Sequence, residues 1–215
     1  MASSLPQRFA TFSNTVSDRC GSLCAVLLLL LSVGCHTAPL LDTMPLDSAG
    51  MSYDSIQKAK SLNITQAEIV QLAKARGAGF PDRDCITLLQ IFHARNRPFD
   101  AGDSVAGLIG ARLSDETIIQ LATLNELGVD AGELEAMRLA GIADATILEV
   151  ARQRAAGKVV LGGASLANMK NAGMSDAMLQ ELVHRGVSDS QLNAILAMRR
   201  HGEKDAEILK HFPAS

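Results

Sequence analysis

Aromatic side chains are scarce in this 215-residue chain. They make up 3% of it, with no tryptophan and a single tyrosine, Tyr53. A core that is built mainly from Leu, Ile, Val, Ala and Met suits helices better than β-sandwiches or barrels. The formal net charge is −3, so the chain also lacks the basic excess of many nucleic-acid-binding proteins. The composition favours an all-α fold and argues against a nucleic-acid partner.

Long hydrophobic runs are limited to one segment, Leu23 to Gly34, which is 12 residues long and uncharged. A membrane-spanning helix needs about 20 apolar residues, whereas the apolar part of a signal peptide has about 7 to 15. Arg8 and Arg19 precede the run and supply positive charge. The segment therefore indicates an export signal.

The export segment ends in Ser32-Val33-Gly34-Cys35, which resembles the lipobox of bacterial lipoproteins. The resemblance implies a signal peptide over residues 1–34, cleavage between Gly34 and Cys35, and diacylglycerol on the Cys35 thiol. It also implies a further acyl chain, such as palmitate, on the new amino terminus. Two or three acyl chains anchor a protein firmly, because each buried CH₂ contributes roughly 0.8 kcal/mol.

The residue after the lipidated cysteine is His36. In lipoproteins, an aspartate at that position favours retention in the inner membrane, so the resemblance implies the outer membrane or another periplasmic face of the envelope. Three alternatives remain: an ordinary secretory signal, an uncleaved short anchor, and a cytosolic protein that starts at Met44 or Met51.

Cysteines are few, and their spacing matches neither a metal site nor a dense disulfide framework. Cleavage after Gly34 removes Cys20 and Cys24 and leaves Cys85 as the only thiol besides the acylated Cys35. Cys85 stands among Ile86, Leu88 and Leu89, which predicts a buried structural thiol rather than a reactive one.

The segment after Cys35 carries Pro39 and Pro45 and has no helical period. We therefore predict that residues 35–52 form the acylated cysteine and a flexible tether. The folded domain is predicted to span residues 53–215.

From Tyr53 onward one pattern recurs: a Gly or other turn residue, an apolar residue, a small polar residue, and an amphipathic stretch. Examples are "GMSDAMLQEL" and "GVSDSQLNAIL". Glycine suits the left-handed position after a helix, so Gly173 and Gly186 are predicted to have positive φ. Ser, Thr or Asp then caps the next helix, and three sites fit a capping box: Thr65 with Glu68, Asp130 with Glu133, and Ser188 with Gln191.

The pattern also has a longer period. "AMRLAGIADATIL" at 136–148 recurs 61 residues later as "AMRRHGEKDAEIL", with eight identities in thirteen positions. "IVQLA" at 69–73 recurs 49 residues later as "IIQLA". We therefore predict three repeated units of short capped helices, about 52–97, 98–157 and 158–212, with the first lacking one helix. They would form a compact superhelical or solenoid-like bundle.

Catalytic and ligand-binding motifs are largely absent. "GKVVLGGAS" at 157–165 has Gly163 where a phosphate-binding loop needs lysine. Ser55 and Lys58 match S-x-x-K, but the S-D-N and K-T-G partners of that serine nucleophile are missing. "MRLAGIADATILEV" has Ala143 where a DNA-binding helix-hairpin-helix needs glycine.

The histidines and the paired carboxylates do not indicate a metal site or a catalytic site either. The five histidines have no H-x-x-x-H spacing. Asp82 with Asp84, and Asp115 with Glu116, stand at helix starts, where the helix dipole favours them. No catalytic, cofactor-binding or metal-binding residue is predicted.

The sequence therefore favours a lipid-anchored binding or scaffold protein of the cell envelope that acts on a protein or peptide partner. The alternative is an envelope enzyme, such as a hydrolase, whose catalytic residues are dispersed along the chain.

Overall fold

The computed structural model describes residues 41–128 and 131–213, and over these ranges the chain contains α-helices and 3₁₀ turns but no strand. The predicted all-α fold is confirmed. The α-helices are α1 Met44–Ser48, α2 Tyr53–Ser61, α3 Gln66–Gly77, α4 Asp82–His93, α5 Gly102–Gly110, α6 Asp115–Leu124, α7 Ala131–Leu139, α8 Asp144–Ala155, α9 Gly163–Asn171, α10 Asp176–His184, α11 Leu192–Arg200 and α12 Asp205–Ile208. The 3₁₀ turns are Asp189–Gln191 and Leu209–His211.

Helices α1 to α10 form two layers, because each helix up to α8 packs on the helix two places further along the chain. Layer A consists of α1, α3, α5, α7 and α9, and layer B consists of α2, α4, α6, α8 and α10. A continuous hydrophobic core, from Leu46 to Phe212, includes residues of both layers. The described part of the chain is thus a stack of helical hairpins, as the repeat predicted.

Among the described residues, each of the eleven connections from α1 to α12 contains one residue with positive φ. Gly173 and Gly186 have φ of 82° and 73°, which confirms the prediction for both. In ten of these connections the N–H of the next residue bonds back to the carbonyl five residues earlier, as from Met174 to Met169 at 3.2 Å and from Val187 to Leu182 at 3.1 Å. This bonding satisfies helix-terminal carbonyls and reverses the chain within a few residues.

The predicted helix caps are present where the structure describes them. The Thr65 hydroxyl accepts the Glu68 N–H, and the Glu68 carboxylate accepts the Thr65 N–H, which confirms that capping box. The Ser188 N–H donates to Gln191 at 3.1 Å, as predicted for that pair. Asp130 lies outside the described residues.

The predicted tether is wrong over residues 41–52, because this segment belongs to the folded body. It contains helix α1, whose Leu46 has no exposed surface, and the following Met51 is 5% exposed. Pro45 stands in the first turn of α1, where a helix tolerates proline because that N–H has no intrahelical partner. The folded body therefore begins near Leu41 rather than at Tyr53.

Helix α1 also corrects the predicted register of the repeat. The first unit does not lack a helix, since α1–α4 correspond to α5–α8 and to α9–α12. "SAGMS" at 48–52 matches "GARLS" at 110–114 and "NAGMS" at 171–175. The 49-residue match aligned α3 with α6, which lie in different layers, so it does not relate equivalent helices.

Layer A is closely packed where α5 crosses α3. A Cβ atom on Gly102 would lie 2.1 Å from the backbone oxygen of Gln71. The Gly102 N–H donates to the side-chain oxygen of the same glutamine at 3.0 Å. Glycine is therefore required for this approach of the two helices.

Candidate functional site

Three aspartates join helices that stand two places apart in the chain, α4 to α2, α8 to α6 and α12 to α10, each from the first position of its helix. Asp82 accepts the N–H of Ser52 at 2.8 Å, Asp144 accepts that of Ser114 at 3.0 Å, and Asp205 accepts that of Ser175 at 3.3 Å. In each case the donor is the N-cap residue of α2, α6 or α10. We call these contacts the aspartate bridges. Each lies within one four-helix unit.

Every aspartate bridge includes an arginine six residues before the aspartate. Arg76 lies 2.6 Å from Asp82, Arg138 lies 3.3 Å from Asp144, and Arg199 pairs with Asp205. Burial opposes ionisation of Asp82 and Asp144, but the serine donors and the arginine charge outweigh it and hold the pKa of both carboxyls below the usual range. These two bridges are therefore ionised contacts at neutral pH.

The same arrangement is incomplete between units. At the α4–α6 junction the aspartate is Asp115, but the preceding N-cap is Pro81, which has no N–H, and Ile109 replaces the arginine. Partial burial and the charge of Asp84 raise the pKa of Asp115. At the α8–α10 junction, Lys170 takes the place of the arginine and donates to Asp176 at 2.7 Å. The bond from the Ala143 N–H to the Asp176 carboxylate is long, at 3.4 Å.

Two carboxylates of layer A join successive units. Glu68 of α3 accepts the N–H of Phe99 at 2.8 Å, just before α5 begins. Glu133 of α7 accepts the N–H of Gly163, the first residue of α9, at 2.6 Å.

Layer B is also joined at both junctions. At the first, the Arg95 guanidinium donates to the carbonyl oxygen of Ala122, in α6, at 2.6 Å. At the second, Nδ1 of His184 lies 2.9 Å from Glu149 of α8. Polar side chains therefore join successive units in both layers.

A cleft of about 640 Å³ opens between α4 and α6, at the first junction of layer B. We call it the first junction cleft. Pro81 and the half-buried Ile119 contribute apolar surface, and Asp84, which is 8% exposed, contributes a carboxylate. Asp115 and Glu116 add two more carboxylates, and Arg83 pairs with Asp84 at 3.1 Å. The cleft is predominantly acidic.

The second junction cleft, between α8 and α10, occupies the equivalent place in the repeat and measures about 360 Å³. Its residues Ala177, Gln180 and Glu181 stand 61 positions after three residues of the first cleft. Glu149, which is 8% exposed, contributes its carboxylate and bonds to His184 at 2.9 Å. The molecule therefore presents two related acidic clefts on one layer.

A third cavity, of about 380 Å³, lies beside the α2–α3 and α4–α5 connections and contains a second His–Glu pair. Nε2 of His93 lies 2.6 Å from Glu68. One oxygen of Glu68 accepts from His93 and Phe99, and the other accepts from the N–H and hydroxyl of Thr65. Since both oxygens already have two donors, the role of this carboxylate is structural.

The one predicted modification site, Cys35 with the cleavage position at Gly34, lies outside the described residues. Cys85 is fully buried, which confirms the prediction of a structural thiol, and burial, with the charge of Asp82 adding to it, raises its pKa to about 12. It is the one free cysteine in the part of the chain that the structure describes.

The weak catalytic motifs have structural roles in the fold. The Ser55 hydroxyl accepts a hydrogen bond from Ser52, the N-cap of α2, at 2.9 Å. In the "GKVVLGGAS" loop, the N–H groups of Gly162 and Gly163 already donate to Asp189 and Glu133, at 2.9 Å and 2.6 Å. Two carboxylates therefore occupy the amides that a phosphate would need.

The junction clefts were not predicted from the sequence. Asp82, Asp84 and Asp115 were interpreted as helix-start residues, Glu68 was predicted only as the capping-box partner of Thr65, and Glu149 was not singled out. A signal was nevertheless present: in the sequence each bridge aspartate has an arginine six residues before it and a serine thirty residues before it.

The fold defines a helical-repeat protein, and comparison with known proteins adds no narrower class. No family model, curated protein or solved structure matches the chain. Within residues 41–128 and 131–213, no helix is long and apolar enough to cross a membrane, and no three His, Cys, Asp or Glu side chains are grouped so that they could hold a metal ion.

Proposed function

We propose that this protein is a lipid-anchored binding or scaffold protein of the bacterial cell envelope. In this proposal, acyl chains on Cys35 hold it at the membrane, and layer B binds a protein partner without turning over a substrate. The observation that carries the binding role is the pair of equivalent junction clefts on one layer of a repeat stack. Helical repeats commonly present extended surfaces of this kind to other proteins.

The chemistry of the clefts favours a partner segment with basic side chains. Each cleft has a carboxylate that is 8% exposed, Asp84 in the first and Glu149 in the second, and further carboxylates at the rim. A lysine or arginine side chain can place its aliphatic stem against Pro81 and Ile119 while its charge meets the acidic groups. Two such clefts allow one extended segment to be held at two points.

A photo-crosslinking experiment in native envelope tests the binding surface. A photoreactive residue at Gln120 or Gln180, which line the first and second clefts, should crosslink reproducibly to the same partner. The control is Val70, which is 43% exposed on α3 of layer A and should give no such product. Equal labelling from all three positions would contradict the assignment of layer B.

Charge reversal tests the chemistry of the partner. Glu116→Lys leaves the buried core untouched because Glu116 is exposed, and should lower the crosslinking yield from Gln120 severalfold. Glu135→Lys, on α7 of layer A, serves as a control with the same change of net charge. If the two variants behave alike, the partner does not contact the first cleft through basic groups.

The membrane anchor is tested separately by mass spectrometry of the mature amino terminus. The proposal predicts a chain that begins at Cys35 and carries diacylglycerol, and predicts that Cys35→Ala loses both the lipid label and membrane association. A variant that keeps both the lipid label and membrane association would exclude Cys35 as the lipidated residue.

A further inference from the structure

The two ends of the helix stack differ in the side chains that they expose. At the amino-terminal end, Met44 of α1 is 70% exposed and Tyr53 of α2 is 73% exposed. Helix α1 packs on α3 and α2 packs on α4, so both helices are covered on one side only among the described residues. We call the uncovered side of α1 and α2, within residues 44–61, the amino-terminal face.

The carboxy-terminal end of the stack is closed by contacts within the chain. The Arg185 guanidinium donates to the carbonyl oxygens of Leu209 and Phe212, at 2.8 Å and 2.7 Å. Ile208 has no exposed surface and Phe212 is 9% exposed. In the described residues, no large apolar side chain after Val159 is exposed. This end thus has the polar outer surface that a terminal repeat needs in water, whereas the amino-terminal face exposes two large apolar side chains, Met44 and Tyr53, among its polar ones.

The distance from Cys35 to the folded body is limited by the covalent chain. Only five residues, 36–40, separate Cys35 from Leu41. A fully extended chain spans at most about 3.6 Å per residue, so the Cys35 Cα lies within roughly 22 Å of the Leu41 Cα. A tether that continued to residue 52 would allow roughly 60 Å on the same basis. Because the folded body begins near Leu41, the short spacer limits its distance from any lipid attached at Cys35.

We propose that the amino-terminal face rests on the headgroup region of the lipid bilayer, with Tyr53 and Met44 in contact with lipid. This inference rests on the proposed lipidation of Cys35. Tyrosine suits the interface because its ring is apolar and its hydroxyl remains hydrated. Over residues 44–61, two aspartates are balanced by two lysines, Lys58 and Lys60. Contact therefore depends on the acyl anchor and the short spacer, and not on anionic lipid.

The chain contains its own reporter for this contact. Tyr53 is the single tyrosine and there is no tryptophan, so emission excited near 280 nm comes from the residue at issue. The processed, acylated protein is reconstituted in phosphatidylcholine vesicles, with or without nitroxide-labelled headgroups. We expect nitroxide lipid to quench the Tyr53 emission. We also expect the quenching constant for aqueous iodide to fall about threefold or more, relative to a soluble chain that starts at residue 36, as the ring leaves bulk water.

Two variants control for proximity and for orientation. Twenty Gly/Ser residues inserted between Leu40 and Leu41 should restore iodide access while the protein stays on the vesicle. Tyr53→Phe combined with Val159→Tyr moves the reporter to a loop position that is 80% exposed, far along the chain from the anchor. Aqueous iodide should still quench the tyrosine emission of this variant, and nitroxide lipid should not.

The outcomes separate this inference from the proposed anchor. Vesicle flotation and the mass of the amino terminus report lipidation directly, and an unmodified Cys35 would overturn the anchor and this inference together. An acylated protein that floats with vesicles while Tyr53 stays fully open to iodide would overturn only the orientation. Equal nitroxide quenching from Tyr53 and from the tyrosine at position 159 would also refute it.

Discussion

Truncation of Leu46 tests the assignment of residues 41–52 to the folded body. Leu46 has no exposed surface and belongs to the continuous core, although its helix α1 has only five residues. Leu→Ala at a buried site costs about 2–5 kcal/mol, from lost transfer free energy and the cavity that remains. For a domain of this size, each kcal/mol lowers Tm by about 2–4 °C. Taking roughly 3 kcal/mol, Leu46→Ala should lower Tm by about 6–12 °C.

The matched control is Met44→Ala in the same helix, because Met44 is 70% exposed. Its effect should stay within about 0.5 kcal/mol, as is usual for surface sites. Both variants are made in a chain that starts at residue 36 and followed by circular dichroism during thermal and urea unfolding. If Leu46→Ala melts at the same temperature as Met44→Ala, residues 41–52 are a tether and the reasoning fails.

Three further predictions concern contacts within the stack. Asp144→Ala removes an aspartate bridge and should cost about 2–3 kcal/mol in urea unfolding, whereas Asp115→Ala, at the same helix position without a bridge, should cost about 1 kcal/mol or less. Equal losses would show that the bridges contribute nothing beyond the helix dipole. Gly102→Ala places a Cβ 2.1 Å from a backbone oxygen, and should cost about 1–3 kcal/mol. Gly107→Ala meets only the end of a flexible glutamate at 2.6 Å and should be tolerated, so similar melting of the two would contradict the close helix approach. The hydrogen bonds to Glu68 outweigh its burial and hold its pKa below the ordinary value. The ionised Glu68 carboxylate therefore stabilises the fold above about pH 4.3, and this contribution is lost as the pH falls through the lower pKa of the folded state. When urea unfolding midpoints are measured between about pH 7 and 3, those of Glu68→Gln should fall less at acidic pH than those of the unaltered protein.

Local features of this fold could be predicted from the sequence because each depends on a few adjacent residues. Gly173 and Gly186 mark turns since only glycine adopts positive φ without strain, and the Thr65–Glu68 capping box is complete within four residues. Helix α1 was missed for a local reason as well. It is too short to show a period, and Pro45, which usually ends a helix, stands inside its first turn.

Features that depend on stacking could not be predicted in the same way. The pairing of His93 with Glu68 joins residues 25 positions apart on helices of different layers, and nothing near either residue specifies the other. The match between "IVQLA" and "IIQLA" was misleading because both layers bury one face on the same core. Helices of either layer therefore carry similar apolar spacing, and short matches do not distinguish the layers.

Polar contacts in both layers determine how freely the stack can bend. At the first junction, layer A is joined by Glu68 and layer B by Arg95. At the second, Glu133 joins layer A, and the Glu149–His184 pair joins layer B. A joint that is fastened on both sides resists hinge bending, so the fold itself sets the spacing between the two junction clefts. A segment that binds both clefts must therefore match this spacing.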